Sequence, residues 1–296
     1  DDQSIARAEF YRPSEDSEEM SYLRSRREAL GGYLPKRDVS PSSLSPPDAD
    51  IFDTFNGGSE SRSLSTTTAM VRLLTKLLRD KAVGQYIVPI VPDEARTFGM
   101  DALFKVAGIY SPDGQRYTPV DAEALNSYRE AVDGQILQEG ICEAGAIASF
   151  IAAGTAYATF AVPTIPFYIF YSMFGFQRVG DMIWASADMM ARGFLLGGTA
   201  GRTTLNGEGL QHQDGHSPIL ASTVPSVRTY DPAFSWELAI LVRYGIQRMF
   251  IEDHDELFYL MMYNEALPMP PRPAHTDLEE GVIRGGYLLE PASGKG

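Results

Sequence analysis

The sequence predicts an α/β fold: a doubly wound, mostly parallel sheet behind an extended, partly helical N-terminal arm. Three observations predict it. Short continuous apolar runs at 87–91, 165–171 and 194–198 read as strands covered on both faces. Longer segments of helical pattern come between and after them, and strand–helix alternation of this kind builds parallel sheets. The length of 296 residues and a hydrophobic fraction of 44% suffice for a large packed core.

The elements follow in order. Residues 1–60 form an N-terminal arm and linker, polar and rich in proline and serine. Within them Ser17-Glu18-Glu19-Met20 opens a charged helix that ends near Leu30, where Gly31-Gly32 stops it. The prolines and glycines of 40–58 predict an extended linker. The α/β domain spans 61–267 and opens at Ser65-Thr66-Thr67-Thr68, a cap before the amphipathic run Met70, Leu73, Leu74, Leu77 and Leu78. A strand at 87–91, a helix at 141–159, a strand at 165–171, a helix at 176–192 and a strand at 194–198 come next. A strand at 226–230, a helix at 235–250 and a strand at 257–263 complete the domain. Residues 268–296 read as a second linker and the truncated start of a C-terminal domain.

Charge and composition exclude several functions. Twenty-five basic against thirty-nine acidic residues leave a net charge of −14. That argues against nucleic acid, which needs basic surface to displace counterions, and against anionic lipid. Cys142 is the one cysteine, so no internal disulfide forms and a reducing cytoplasm is compatible. The first residues carry no signal-peptide pattern and no initiator methionine, so the chain reads as cut from a longer one. No charge occurs from 144 to 177. This exceeds the roughly 20 apolar residues of a membrane span, but Pro163 and Pro166 split it, which favours a buried helix, a turn and a central strand.

Four groups can carry chemistry. The glycine-rich loop after the 194–198 strand holds Glu208, His212, Asp214 and His216. Such loops lie where open α/β sheets place ligands, though a solvated surface loop is the plainer alternative. Asp93 and Glu94 follow the first strand. Glu139 and Glu143 lie at the start of the most apolar helix, where a carboxylate either faces the helix N-terminus or is buried with a raised pKa. The dipole reading suits Glu139 better; Glu143 opens the charge-free stretch and is expected to have dry neighbours. Tyr168, Tyr171, Phe174 and Phe176 cluster at the end of the central strand, and Tyr171 and Phe174 are placed to line a cleft for a flat heterocycle. A zinc site at His212 and His216 is disfavoured, because flanking Gly209 and Gly215 break the helix such a pair needs. The polar stretch 113–134 is either a loop over the site or a surface excursion.

These pieces together resemble one family, the homodimeric pyruvate dehydrogenase of bacterial pyruvate dehydrogenase complexes, a thiamine-diphosphate enzyme. The matching segments are 92–100 (PDEARTFGM), 108–112 (GIYSP), 135–143 (QILQEGICE), 166–178 (PFYIFYSMFGFQR) and 197–216. The resemblance runs from about residue 18 to 263. It implies a transketolase-like domain that binds the aminopyrimidine of thiamine diphosphate. It implies that Glu143 meets the pyrimidine ring nitrogen and that Tyr171 and Phe174 pack on the ring. Glu94 and Glu208 match active-centre acids, His212 the histidine near the substrate-derived part of the adduct, and His216 a neighbour in the same loop. The 113–135 insert matches a loop that orders when the site closes. The implied reaction is oxidative decarboxylation of pyruvate, with the acetyl group passed to the lipoyl-bearing dihydrolipoyl acetyltransferase. The family's Gly-Asp-Gly motif for diphosphate and Mg2+ is absent here. The resemblance places those ligands on an N-terminal domain outside this chain, so the piece alone is expected to be inactive, with the cofactor between domains of a homodimer. Another thiamine enzyme (transketolase-like, or another 2-oxo acid decarboxylase) and a non-catalytic dimerisation or interaction domain are the alternatives. The context of Glu143 and His212 discriminates against the first, and a carboxylate in an apolar setting against the second.

Overall fold

The structure is a computed structural model and describes residues 2–8, 10–29, 32, 44–59, 62–92, 95–201, 209–274, 277–291 and 294. Two units separate along the chain, 1–37 and 38–296. The first carries helices α1 (Asp2–Arg7) and α2 (Glu18–Ala29), neither with a buried residue. Glu15 binds Arg12 and Arg24 there, and Ser17 Oγ accepts from Met20 N at the start of α2.

The second unit is built on a six-stranded, all-parallel sheet. Its strands are β2 (Ile87–Val91), β5 (Leu137–Gln138), β6 (Ile165–Tyr171), β7 (Gly193–Gly198), β8 (Val227–Tyr230) and β9 (Leu257–Met261), in the order β5-β2-β6-β7-β9-β8. Two-stranded ladders flank it: β1 (Ser63–Leu64) with β10 (Leu267–Pro268), antiparallel, and β3 (Ile109–Tyr110) with β4 (Glu130–Ala131), parallel. Alternate strand residues feed two cores. Phe167, Ile169, Phe194, Leu196, Phe258 and Leu260 face one, with α4 (Thr66–Leu77) and α9 (Ser235–Ile246). Tyr168, Phe170, Leu195, Tyr259 and Met261 face the other, with α5 (Glu143–Gly154), α7 (Ser172–Asp188) and α8 (Ser217–Ala221). Because both faces are covered, the strands carry no polar alternation, and that is why they read as plain apolar runs.

Local chemistry sets the helix ends. Ser65 Oγ accepts from Thr68 N at 3.0 Å and starts α4, as its sequence predicts. The apolar helix expected over 141–159 is two pieces, α5 and α6 (Ala156–Phe160), broken at Thr155, whose hydroxyl bonds back to Ile151 O. The helix expected to begin at 176 begins at Ser172, directly on the end of β6, and is kinked at Val179. The Ser-Met-Phe-Gly sequence looks like a turn, but Gly175 lets the helix lie flat on the Phe170 ring.

Two expectations about the flanks are corrected. Residues 44–59 are not an extended linker: they carry α3 (Asp50–Asp53), and Leu44, Phe52 and Phe55 are buried in the same core as α4 and α9. Residues 268–291, expected as a linker and the start of a C-terminal domain, pack back on this core. Helix α10 (Leu278–Arg284) buries Leu278 and Val282 in that core, Tyr287 Oη donates to Glu237, and Trp236 Nε1 donates to Pro270 O at 3.2 Å. Burial of large apolar side chains outweighed the proline and glycine pattern at both places.

Replacing Gly175 by alanine separates propensity from packing. Helix propensity alone would stabilise by about 1 kcal/mol, whereas a Cβ here runs into the Phe170 ring, an overpacking cost of about 1–3 kcal/mol. The expected outcome is a lower denaturant midpoint for Gly175→Ala; a higher one would show that α7 does not rest on β6 as described.

Candidate functional site

Sheet order fixes where the site lies. From β2 the chain moves outward to β5, and from β6 it moves the opposite way to β7, so the direction of winding reverses between β2 and β6. Open α/β sheets leave a crevice at the carboxyl ends of strands at such a point. Three segments converge there: Phe98 after β2, Glu139 to Glu143 at the start of α5, and Tyr171 to Arg178 at the start of α7. Glu139 N donates to Val91 O at 3.3 Å, and Phe98 and Tyr171 have ring centroids 5.0 Å apart.

Tyr171, Phe174 and His212 form a cluster of three rings. Tyr171 lies 5.0 Å from His212 and 5.9 Å from Phe174, and Phe174 lies 5.2 Å from His212. The steep interplanar angles give the edge-to-face packing aromatic quadrupoles prefer. Phe174 and Arg178 are four apart and share one face of α7, and the Arg178 guanidinium sits 4.0 Å over the Phe174 ring. Its Nη1 donates to Glu143 Oε1 at 2.6 Å.

Glu143 therefore differs from its expected setting. It is the first residue of α5, its side chain is 14% exposed, and a half-exposed arginine pairs with it, so its surroundings are not dry. The guanidinium gives the carboxyl a charge-assisted hydrogen bond at the N-terminus of α5. Tyr168, buried beneath, donates from Oη to Glu143 O at 3.4 Å, and burial pushes its hydroxyl pKa well up, so it stays a neutral donor. Glu139 accepts from Ser149 Oγ on α5.

His216 joins the same helix face from the other side, with its Nε2 2.7 Å from Gln177 Nε2. Its loop is held by Asp214, which is 1% exposed. Ser172 Oγ donates to Asp214 Oδ2, and His216 N and Ser217 N donate to Oδ1 at 3.0 Å each. Burial alone would raise the Asp214 pKa; the hydroxyl and amide hydrogen bonds outweigh it and hold the carboxyl below its usual range. A cleft of about 450 Å³ opens beside this loop, lined by Asp214, Gly215, Thr66, Asp231 and Tyr263 among others. There burial raises the Asp231 pKa against a hydrogen bond from Tyr263 Oη at 2.8 Å.

The structure thus brings Glu143, Tyr171, Phe174, His212 and His216 to one end of the sheet. Glu94 and Glu208, the two remaining acids, lie outside the described residues. Sequence reasoning gave no role to Arg178, Gln177 and Ser172, and noted Asp214 only as a member of the histidine loop. One signal for Arg178 was present: Glu143 and Arg178 are the two charges that bracket the uncharged run 144–177, and they pair with each other. The 113–134 segment is tied down beside the site, with Arg96 bound to Asp121 and Tyr128 N donating to Asp121 Oδ2 at 3.0 Å. Among the described residues no three His, Cys, Asp or Glu side chains are placed to hold a metal ion. Nor is any helix long and apolar enough to cross a membrane.

Sheet, switch point and crevice define a transketolase-like α/β domain. Solved transketolases share it: that of Pichia stipitis aligns with a TM-score of 0.59 at 16% identity, over 93% of this chain and 34% of that one. The Leishmania mexicana enzyme aligns at 0.58 and 12%, over 79% of this chain and 30% of that one. Identities this low speak to the fold alone. More narrowly, the sequence model of the pyruvate dehydrogenase E1 component middle domain matches residues 44–270, and the chain belongs to that family. The pyruvate dehydrogenase E1 component of Pseudomonas aeruginosa is 53% identical over 98% of this chain and 32% of its own length. That of Escherichia coli K12 is 48% identical over 99% of this chain and 33% of its own. The chain spans about a third of the length of these relatives.

Removing the buried carboxylate with Asp214→Ala leaves two amides and a hydroxyl without their acceptor, an expected cost of about 2 kcal/mol or more. Because the folded pKa of Asp214 is lowered from 3.8, its contribution is complete above about pH 4 and is lost as pH falls through the folded value. The stability difference between native chain and variant, followed by thermal melts from neutral pH downward, should therefore shrink in acid. A difference that is absent at neutral pH, or that grows in acid, would contradict the anchoring role.

Proposed function

We propose that this chain is the aminopyrimidine-facing half of the site of a pyruvate dehydrogenase, the enzyme that decarboxylates pyruvate with thiamine diphosphate and passes the acetyl group to a lipoyl carrier. The convergence of Glu143, Phe174, Tyr171 and His212 at the switch point carries the reading. Two aromatic planes beside a carboxylate suit a flat heterocycle with a basic ring nitrogen. Ligands for Mg2+ and the diphosphate are assigned to another part of the full-length protein.

When bound, thiamine diphosphate supplies the electron sink that 2-oxo acid decarboxylation requires. This chain's residues prepare the site for it. Phe174 and Tyr171 hold the ring plane, and the Glu143 carboxyl shares a proton with the ring nitrogen, a general acid–base role. Arg178 orients that carboxyl from the side. His212, fixed against both rings, is aimed where pyruvate would react, as a hydrogen-bond donor to developing charge. Glu94 and Glu208 are the further acids of the active centre, and His216, held by Gln177 and Asp214, braces the loop. The chain alone is inactive in this reading.

A homodimer and a lipoyl-bearing dihydrolipoyl acetyltransferase are the proposed partners, in the cytoplasm. Exposed apolar residues support a second protein surface at the site. Ile141, Leu210 and Ile219 are 71%, 80% and 67% exposed, each within a few residues of Glu143, His212 or His216. Apolar side chains gathered around a polar centre mark an interaction surface.

In a full-length enzyme containing this segment, Glu143→Gln is expected to cut kcat by about 100- to 10,000-fold, the range of general acid–base contributions. Steady-state rates of acetyl transfer check this; turnover within twofold of the native enzyme would remove the proton-sharing role.

A further inference from the structure

The opposite face of the sheet carries a groove that the reading above does not use. It lies among α3, α4 and the start of α9, with a volume of about 370 Å³. Phe55 and Leu64 supply its apolar part, and Arg72, Lys76 and Arg79 its cationic wall. Arg72 and Lys76 are four apart on α4 and share one face of it, and Arg79 lies just beyond the C-terminal end of that helix.

Lys76 in the last turn of α4 and Arg79 just past it suit the helix C-terminus, but none of the three cations has an ion-pair partner among the described residues. Arg178, Arg192, Arg228, Arg243, Arg248 and Arg272 each pair with a carboxylate. Arg72, Lys76 and Arg79 pair with no acid among the described residues, in a chain whose net charge is −14. Arg72 and Lys76 are like charges one turn apart and repel each other, a repulsion that a bound anion would relieve.

An independent observation lies in the same groove. Ser235 lines it and is 1% exposed, yet its Oγ has no hydrogen-bond partner. A buried hydroxyl without a partner costs about 1–3 kcal/mol. Ser235 is also the first residue of the 12-residue helix α9. Glu237 accepts from the amides of Ala233 and Phe234 just upstream of it. Helix N-termini present amide donors and positive potential to anions.

From the three unpaired cations, the unsatisfied Ser235 hydroxyl and the helix start converging on one groove, we infer that this chain binds a small phosphate-bearing molecule there. The phosphate meets Arg72, Lys76, Arg79 and Ser235, and the apolar body of the ligand covers Phe55 and Leu64. The groove belongs to the core of α4 and α9, whereas Glu143, Phe174 and His216 belong to the α5, α7 and α8 side. It is therefore separate from the proposed cofactor site and does not depend on it.

Inorganic pyrophosphate, titrated without magnesium into this chain by calorimetry, tests the inference. It has no pyrimidine, so failure of the thiamine reading leaves this test intact. Saturable binding with a Kd of about 1 mM or tighter is expected. Lys76→Gln with Arg79→Gln should weaken it at least about tenfold, and Ser235→Ala by a few-fold at a melting temperature no lower than the native chain's. Glu143→Gln should leave it unaltered. No saturation up to about 10 mM, equal heats from chloride at matched ionic strength, or undiminished binding in the double variant with a native melt would each overturn the site.

Discussion

One buried carboxylate ties the candidate site together. Asp214 accepts from Ser172 at the first residue of α7, from the amides that open α8, and through Ser172 it reaches Tyr259 on β9, whose hydroxyl lies 3.3 Å from Ser172 Oγ. Its own amide donates to Gly201 O across the loop neck at 3.0 Å. An ionised carboxylate is stable at this depth only because its hydrogen-bond donors replace lost water. The same donors fix the relative positions of two helices, a strand and the histidine loop. His212 meets Tyr171 and Phe174 because the two segments are tied at Asp214 and Ser172.

The sheet supplies the second constraint. Parallel strands begin at one edge and end at the other, so every helix that follows a strand starts at the carboxyl edge. Glu143 at the start of α5, Tyr171 before α7 and His216 before α8 are far apart in sequence yet share that edge. The reversal of winding between β2 and β6 opens the crevice between them. At the opposite edge the charged groups serve structure. Arg192, 2% exposed, binds Asp253, Asp255 and Met249 O and stacks on Tyr157. Glu256 accepts from Arg228 and Arg248; against the opposing effect of burial, those two hold its pKa down at about 2. Chemistry and stability are thus divided between the two ends of the strands.

Much of this was legible in the sequence, for physical reasons. The doubly buried strands Ile87–Val91 and Ile165–Tyr171 announced themselves residue for residue, because nothing polar is tolerated on either face. The ring cluster was legible as aromatics at a strand end, and the histidine loop as glycine-rich chain after a buried strand. The start of α7 was not, because Ser172 to Gly175 satisfy a turn pattern and only packing on Phe170 makes them helical. Residues 44–59 looked like linker because proline and glycine dominate the local signal, while the burial of Phe52 and Phe55 is a tertiary fact. Asp214 was seen as part of a loop. Its importance depends on a serine 42 residues away, which local pattern does not reveal. Glu143 was singled out for a dry setting, yet its partner Arg178 lies 35 residues on, and the dryness expected of it gave way to that ion pair.

The central claim is that this chain holds the ring-facing half of a thiamine site without the grip on diphosphate and metal. The most direct measurement is a calorimetric titration of thiamine diphosphate into the chain alone, with and without Mg2+. The account requires that magnesium make no difference and that, in the Lys76→Gln/Arg79→Gln variant without the cations of the α4 groove, no binding tighter than about millimolar appear. Magnesium-dependent binding in the micromolar range would mean that the chain contains a complete cofactor site, and would contradict the division proposed for it.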